Sequence, residues 1–180
     1  MLTSQRLVLR AVRESDFPRL SELRSDIRNM GDYWPLHLIS EALDLKRFRD
    51  TGWWGDEHGS LIITDHANAI LGQVNFYKNA GMLNALEIGY RLYQPENWGK
   101  GYTTEAVSLF VPFLFETRSI DRVQAMILSD NVGSRRVLEK CGFTLEGTLR
   151  QAVFHRGRNR DALIYSILRN EYKPLKDVLA

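Results

Sequence analysis

The fold of this chain is decided by the stretch Trp98-Gly99-Lys100-Gly101-Tyr102-Thr103-Thr104-Glu105-Ala106. It follows a strand-like run, residues 86–92, and opens a run with helical spacing. Two glycines separated by one residue let the backbone turn sharply and approach a ligand with no Cβ in the way. The free N–H groups and the partial positive charge of the next helix N-terminus favour a phosphate there. The stretch therefore predicts either a phosphate-binding turn or a simple connection between a strand and a helix.

A second stretch makes the phosphate interpretation specific: Asn131-Val132-Gly133-Ser134-Arg135-Arg136-Val137-Leu138-Glu139-Lys140-Cys141-Gly142-Phe143. Together the two stretches resemble the GNAT superfamily of acyl-CoA-dependent N-acetyltransferases. The first is similar to the pyrophosphate motif Gln/Arg-x-x-Gly-x-Gly/Ala, and the second to Asn-x-x-Ser…Glu-Lys-x-Gly-Phe. The ribosomal-protein N-terminal acetyltransferase branch (RimJ/RimL type) fits best, because its members begin with a strand like Arg6-Leu7-Val8-Leu9-Arg10 and carry Trp-Gly-Lys-Gly-Tyr. The resemblance extends from about Thr3 to Arg169.

The resemblance implies the fold and the ligands. The fold class is α/β (α+β), a GNAT fold whose mixed, mostly antiparallel central sheet has about seven strands with helices on both faces. Residues 1–170 would form one domain and residues 171–180 a C-terminal tail. The cofactor would be acetyl-CoA (coenzyme A), and the strand before the glycines would splay from its neighbour to pair with it. The cofactor-binding residues implied are Leu92, Trp98, Gly99, Lys100, Gly101, Tyr102, Thr103, Thr104, Asn131 and Ser134.

Composition agrees with an enzyme domain and excludes other classes. The 180 residues suffice for one hydrophobic core, and 44% hydrophobic and 26% charged residues are ordinary globular values. A net charge of +2 gives no reason to expect nucleic acid. No leader or long apolar run indicates a membrane, and the single cysteine, Cys141, suits a reducing compartment. We expect a cytoplasmic protein, monomer or homodimer, that binds neither nucleic acid nor membrane.

Hydrophobic spacing predicts the elements. Helices are expected after residues 14–16, after a Ser40 cap, after the two glycines with Pro112 kinking or ending the helix, and from an Asp130 N-cap to Lys140 with Gly142 just beyond it. The final residues are expected to be a short tail or helical end. Strands are expected at residues 4–10, 60–64, 69–77, 85–92, 122–128, 143–154 and 161–168.

Acyl transfer to an amine needs a group that takes a proton from the amine and one that serves the leaving thiolate. Glu87 is the candidate base, acting directly or through water: burial among apolar neighbours would strengthen it, whereas a solvent-facing position would leave it without a role. His155 is a second candidate, although its place beside a polar turn is typical of a surface residue. Ser134 is the candidate to protonate or contact the thiolate, because Leu138 stands where many GNAT enzymes carry a tyrosine. Asn131 is either a ligand of the pantetheine arm or a helix-start residue.

Three further features of the sequence concern the cofactor motif, metal binding and the acceptor site. Glu96 stands where the superfamily motif has Gln or Arg, which leaves only the backbone part of that motif. Metal binding is not expected, because the four histidines lack paired spacing with cysteine or carboxylate. A group of aromatic and histidine residues near the first two helices would line the acceptor site, form core or form a dimer contact: Tyr33, Trp34, His37, Trp53 and Trp54.

The function that these features predict is an N-acetyltransferase that moves acetyl from acetyl-CoA to a primary amine by direct attack in a ternary complex. A protein or peptide N-terminus is the acceptor that the resemblance favours. The alternatives are a small amine (an antibiotic, polyamine or amino acid) and a non-catalytic acyl-CoA-binding protein.

Overall fold

The computed structural model describes residues 1–36, 40–78 and 84–179. One eight-stranded sheet is the scaffold of this described part, with the spatial order β1-β2-β3-β4-β5-β6-β8-β7. Neighbouring strands are antiparallel except β5 and β6, which are parallel. The mixed, mostly antiparallel sheet is therefore confirmed. The strands are β1 (Leu2–Thr3), β2 (Val8–Ala11), β3 (His58–Thr64), β4 (Ile70–Lys78), β5 (Ala85–Leu92), β6 (Arg122–Leu128), β7 (Thr144–His155) and β8 (Arg158–Leu168).

The eighth strand arises because the segment predicted as one strand, residues 4–10, is divided. The Ser4 N–H donates to the carbonyl of Leu7 (2.9 Å) and the chain reverses there. β1 then pairs with β2 as a short hairpin. The alternating pattern of this segment does not distinguish a strand from a turn that leads into one.

Five α-helices accompany the sheet in the described part of the chain. Ser40 caps α2, as predicted, by accepting from the Leu43 N–H (3.3 Å). Pro112 lies inside α3 without ending it, because the helix continues to Thr117. Gly142 follows α4 in a left-handed conformation (φ 84°), as expected just beyond a helix end. The helices are α1 (Phe17–Ser25), α2 (Glu41–Thr51), α3 (Tyr102–Thr117), α4 (Val132–Lys140) and α5 (Leu175–Val178).

The prediction that Asp130 caps α4 is wrong, because the cap is Asn131. Its side-chain oxygen accepts the Ser134 N–H at 3.0 Å. The Asp130 carboxylate instead forms an ion pair with Arg160 of β8. Two adjacent capping residues thus have different partners, and sequence does not tell them apart.

The two faces of the sheet have separate apolar cores because strand side chains alternate. Ile62 packs with α1 and the side chains of α2, whereas its neighbours Leu61 and Ile63 belong to the larger core with α3. The final helix, α5, packs on this larger core, where Tyr172 stacks on Phe115 at 4.8 Å. No helix of the described residues is both long and apolar enough to cross a membrane.

The parallel pairing of β5 with β6 is short. It joins only Ala85, Leu86 and Glu87 to residues 122–124, although β5 stays paired with β4 as far as Leu92 and β6 with β8 as far as Leu128. Beyond Glu87 the two strands separate, and their facing backbone edges do not pair with each other. The sheet therefore has a V-shaped opening, as the resemblance implied.

Candidate active site

A cleft of about 740 Å³ occupies the V-shaped opening. Its walls include residues 88–92 of β5 and 125–128 of β6. Elements from both faces of the sheet complete it: residues 29–35, which connect α1 to α2 and which we call the acceptor loop, and the starts of α3 and α4. The cleft is therefore lined from both faces of the sheet.

The glycine turn, residues 98–101, forms one end of the cleft. Gly99 and Gly101 have φ values of 72° and 82°, which side chains other than glycine rarely adopt. A Cβ at Gly99 would meet no atom within 4 Å, and one at Gly101 would meet only the Arg6 guanidinium at 3.5 Å, so the space beside this backbone is open. Gly101 begins α3 without a side-chain cap, which leaves N–H groups of the first helical turn available to an anion.

Two side chains hold the glycine turn in place. Arg6 donates to the carbonyl of Lys100 (3.0 Å) and forms an ion pair with Glu105 in the first turn of α3. The Trp98 indole N–H donates to the carbonyl of Leu92 (3.2 Å). The carbonyl of Leu92, a residue that the resemblance implied would bind the cofactor, is thus bonded to Trp98 in this structure, and Lys100 is not part of the lining. The other predicted cofactor residues all line the cleft: Leu92, Trp98, Gly99, Gly101, Tyr102, Thr103, Thr104, Asn131 and Ser134.

Asn131 and Ser134 lie together at the start of α4. Asn131 is the helix-start residue because its oxygen caps the helix, and its amide nitrogen remains as a donor beside the cleft. Leu138 is fully buried in the large core, so its position offers no hydroxyl to the cleft. Sequence reasoning missed Tyr90, which lines the cleft and donates from its hydroxyl to the Ser134 carbonyl at 3.3 Å. Burial raises the pKa of Tyr90, so the phenol keeps its proton.

Glu87 is 4% exposed, so the solvent-facing alternative is wrong. It lies at the apex of the opening, opposite Tyr77 on β4 and Gln124 on β6. The Tyr77 hydroxyl donates to one carboxylate oxygen, and the Gln124 amide donates to the other at 2.9 Å. Tyr77 lines the cleft whereas Glu87 does not. Burial raises the pKa of Tyr77, and the hydrogen bond to Glu87 and the negative charge of Glu87 raise it further. This phenol therefore also stays protonated.

His155 is 3% exposed, which contradicts its expected surface position. Its ring lines the cleft, and Nε2–H donates to the carbonyl of Asp32 at 2.7 Å. The adjacent Arg156 donates to the carbonyl of Gly31. The turn between β7 and β8 therefore packs against the acceptor loop, a contact between segments that are far apart in sequence.

The aromatic residues near the first two helices divide between site and core. Tyr33 and Trp34, in the acceptor loop, line the cleft. Trp53 packs against Phe17 at 5.2 Å, and Trp54 packs against Phe76 at 5.4 Å. His37 lies outside the described residues. In the described part of the chain, no three His, Cys, Asp or Glu side chains come together as a metal site.

Asn75 and Arg91 line the cleft on the side of the acceptor loop and were not expected from sequence. Asn75 pairs across strands with Gly89, and Arg91 follows two residues later on the same face of β5. A polar or charged residue inside a strand gives no sequence signal of a site unless the facing cavity is known.

This sheet, its opening and the glycine turn define an acyl-CoA-binding acetyltransferase fold. The family model of the acetyltransferase (GNAT) domain matches residues 6–144. The chain therefore belongs to the GNAT family of acetyl-CoA-dependent N-acetyltransferases, and acetyl-CoA is its cofactor.

Individual relatives are similar over different lengths. An uncharacterised N-acetyltransferase of Bacillus subtilis, YoaA, is 35% identical over 100 residues, 56% of each chain. The ribosomal protein uS5 alanine N-acetyltransferase of Escherichia coli is 25% identical over 96% of this chain and 93% of its own length, in agreement with the ribosomal-protein branch. A spermidine N-acetyltransferase of Vibrio cholerae, solved with CoA and spermine, has a TM-score of 0.80 at 22% identity over 92% of this chain and 97% of that one. This last likeness concerns the fold alone.

Proposed function

We propose that this acetyltransferase acetylates a protein or peptide N-terminus by direct attack of the amine in a ternary complex. The observation that carries the proposal is the cleft at the V-shaped opening, which is lined by the glycine turn and α4 from one face of the sheet and by the acceptor loop from the other. Cofactor and amine can therefore be held at the same time. A covalent enzyme intermediate is not needed when both substrates reach the same point.

The glycine turn is the proposed pyrophosphate site. Its fit to phosphate rests on two backbone positions without side chains and on the uncapped first turn of α3. Bound acetyl-CoA supplies an activated acetyl thioester. The amide of Asn131 and the hydroxyl of Ser134 would contact its pantetheine arm from α4.

On the amine side, we propose that Glu87 acts through Tyr77. The Tyr77 hydroxyl already donates to Glu87, and Tyr77 reaches the cleft. As the amine loses a proton to the Tyr77 oxygen, the phenol proton moves to Glu87, so Tyr77 ends as it began and Glu87 holds the proton. The raised pKa of Tyr77 suits a relay, because the phenol would not persist as an anion.

On the thiolate side, two hydroxyl groups are available. Ser134 lies at the start of α4, and Tyr90 lies beside it on the strand that faces the cleft. We propose Ser134 as the group that contacts or protonates the departing sulfur. Tyr90 would position Ser134 through the hydrogen bond to its carbonyl.

The charges around the cleft favour an N-terminus over a polyamine. Among the described residues that line the cleft, Asp32 is the one carboxylate; Arg91, on the side of the acceptor loop, is cationic, as are Arg136 and Lys140 on α4 at the proposed cofactor end. A polycation would meet repulsion without compensating carboxylates. The similarity to the uS5 alanine N-acetyltransferase supports the same choice. Because Cys141 is a free thiol, we also propose that the reaction takes place in the reducing cytoplasm.

Turnover of acetyl-CoA with matched amines tests the proposal. Short peptides with free N-termini, the same peptides with blocked N-termini and an internal lysine, spermidine, an aminoglycoside and free amino acids form the panel. We expect kcat/KM to be highest for a free N-terminus and lost on blocking. A highest value for spermidine would overturn the acceptor class, and no turnover with any amine despite CoA binding would indicate a non-catalytic acyl-CoA-binding protein.

A further inference from the structure

Arg91 is a buried cation without a carboxylate partner among the described residues. It is 8% exposed, and its guanidinium lies between the rings of Trp34 and Tyr93, 4.5 and 4.6 Å from their centroids. No described carboxylate forms an ion pair with it. Burial lowers its pKa, which reflects the cost of holding this charge away from water.

Arg10, also buried, has the carboxylate partner that Arg91 lacks among the described residues. Arg10 is 5% exposed and donates two hydrogen bonds, of 2.8 and 2.9 Å, to the carboxylate of Asp16. Buried charges in proteins are normally paired in this way. Arg24, whose positive charge also contributes to lowering the pKa of Arg91, is itself paired with Asp44. Arg91 is hydrogen-bonded to the Tyr93 hydroxyl, but among the described residues it differs from Arg10 and Arg24 in having no carboxylate partner. It is also the one of these three arginines that lines the cleft.

Unpartnered polar atoms accompany Arg91 in the same wall. Within the described part of the chain, Trp34 Nε1, Arg91 Nε and the side-chain oxygen of Asn75 are buried without a hydrogen-bond partner. Such atoms are uncommon in folded proteins, because each one costs free energy. Asn75 is a diagonal cross-strand neighbour of Arg91, at a typical separation of ~7–8 Å. A ligand the size of one amino-acid residue would reach both.

We propose that Arg91 and Asn75 bind an acceptor that carries a carboxylate close to its amine. The inference rests on the proposed function and narrows its substrate class. The carboxylate would pair with the Arg91 guanidinium, which Trp34 and Tyr93 hold in a fixed plane suited to two parallel hydrogen bonds. The amine would donate to the Asn75 oxygen. Tyr77 follows Asn75 by two residues on the same face of β4, so the amine would lie beside the relay to Glu87.

Two sources share this chemistry. One is an acidic side chain at or next to a peptide N-terminus, and the other is the α-carboxylate of a free amino acid. Peptide pairs that begin with Asp or Asn, and Glu or Gln, report on the first source. Free amino acids paired with their amides report on the second. In both pairs the carboxylate is replaced by a neutral group of nearly the same shape.

The kinetic experiment compares these pairs in the wild-type enzyme, Arg91→Met and Arg91→Lys. In either the peptide pairs or the free amino-acid pairs, we expect the wild type to prefer the substrate with the carboxylate by roughly 10- to 100-fold in kcat/KM. This is the scale of a charge-assisted hydrogen bond. Arg91→Met should remove the preference, and Arg91→Lys should keep part of it. Arg47→Met, an exposed arginine on α2, is the control and should keep all of it. Equal turnover of both members by the wild type, or an unchanged preference in Arg91→Met, would overturn the inference.

A binding experiment separates this inference from the proposed function. Succinate and succinamide are titrated calorimetrically into the CoA complex, which requires no turnover. Succinate should bind the wild type and not Arg91→Met, and succinamide should bind neither. Acetylation without carboxylate preference or succinate binding would refute the inference and leave the function standing. Succinate binding without turnover of any amine would support the inference and refute the proposed function. Unchanged CoA affinity and thermal midpoint in Arg91→Met establish that the variant is folded.

Discussion

The two ends of the cleft are built differently. The end that we propose for the cofactor consists mainly of one contiguous stretch, the glycine turn with the first turn of α3, and presents backbone N–H groups. The end that we propose for the acceptor is assembled from side chains on the acceptor loop, β4, β5 and the end of β7. A backbone site needs particular residues at fixed local spacing, so it can be identified in a sequence. A side-chain site made of distant segments becomes visible only when the sheet brings them together.

The largest expected effect breaks the cofactor end. Gly101→Val should abolish CoA binding, because a branched side chain would enter the open space beside the turn and L-residues strain at φ 82°. Isothermal titration with CoA measures the loss. Gly157→Val is the matched control, since Gly157 also has φ 82° with nothing within 4 Å of its Cβ but does not line the cleft. CoA affinity in Gly101→Val that equals that of the control would refute the phosphate site.

The next largest effect tests the proposed proton relay from the amine through Tyr77 to Glu87 at the apex of the opening. Glu87→Gln and Tyr77→Phe should each lower kcat by roughly 10²-fold, the usual scale for loss of a proton-accepting group. The CoA dissociation constant should change little in both variants. The double variant should lose no more than either single one, since the two residues act as one relay.

The control for this pair is Glu57→Gln, an exposed carboxylate that should leave kcat unchanged. Full turnover by Tyr77→Phe alongside a large loss in Glu87→Gln would mean that the proton reaches Glu87 by another route. Wild-type turnover in both Glu87→Gln and Tyr77→Phe would mean that the hydrogen bond between these residues has a purely structural role.

A smaller effect sharpens the role of α4 at the cofactor end. Ser134→Ala should weaken CoA binding about fivefold, corresponding to the ~1 kcal/mol of one neutral hydrogen bond. If Ser134 also serves the thiolate, kcat should fall further, and an acyl donor with a more acidic thiol should recover part of that loss. Ser108→Ala, whose hydroxyl contacts Cys141 outside the cleft, is the control. Equal losses in binding and turnover would leave Ser134 as a contact only.

The smallest effect concerns the polar network that extends from Glu87 away from the cleft. Gln124 accepts from Arg122, and Arg122 forms an ion pair with Glu146, which also accepts from Ser166 at 2.6 Å. The hydrogen bonds from Arg122 and Ser166 lower the pKa of Glu146 to about 2 from its ordinary value of 4.5. The stability that this pairing contributes is therefore complete above pH 4.5 and is lost as the pH falls toward 2.

Urea unfolding of the wild type and Glu146→Gln across this pH range measures the contribution. The difference in unfolding free energy between the two should shrink as the solution is acidified. The difference should be modest, because the Glu146 side chain is 39% exposed and solvent screens the pair. A difference that stays constant with pH would mean that the ionised pair contributes nothing.

Sequence alone identified the family and predicted the residues of the proposed cofactor end. The spacing of Gly99 and Gly101, and of Asn131 and Ser134, depends on local backbone geometry, which chain neighbours dictate. Most strand and helix positions followed from hydrophobic spacing in the same way, apart from the divided segment 4–10, and the Ser40 cap followed from its side-chain chemistry. The limits of local reasoning appear at Asp130 and Asn131, where a distant arginine decided which residue caps the helix.

Tertiary structure alone decided the rest of the site. Whether Glu87 faced solvent or a partner depended on Tyr77 and Gln124, which reach it through strand register. His155 became a buried cleft residue because a distant turn packs on the acceptor loop. Trp34 lines the cleft and Trp53 joins the core, although both are tryptophans in the same stretch of chain. Arg91 is an ordinary strand residue in the sequence, and its burial, with no carboxylate partner among the described residues, makes it a candidate for binding the acceptor. The physical reason is common to all of these: burial, pairing and charge environment belong to contacts between segments, and those contacts exist only once the sheet has formed.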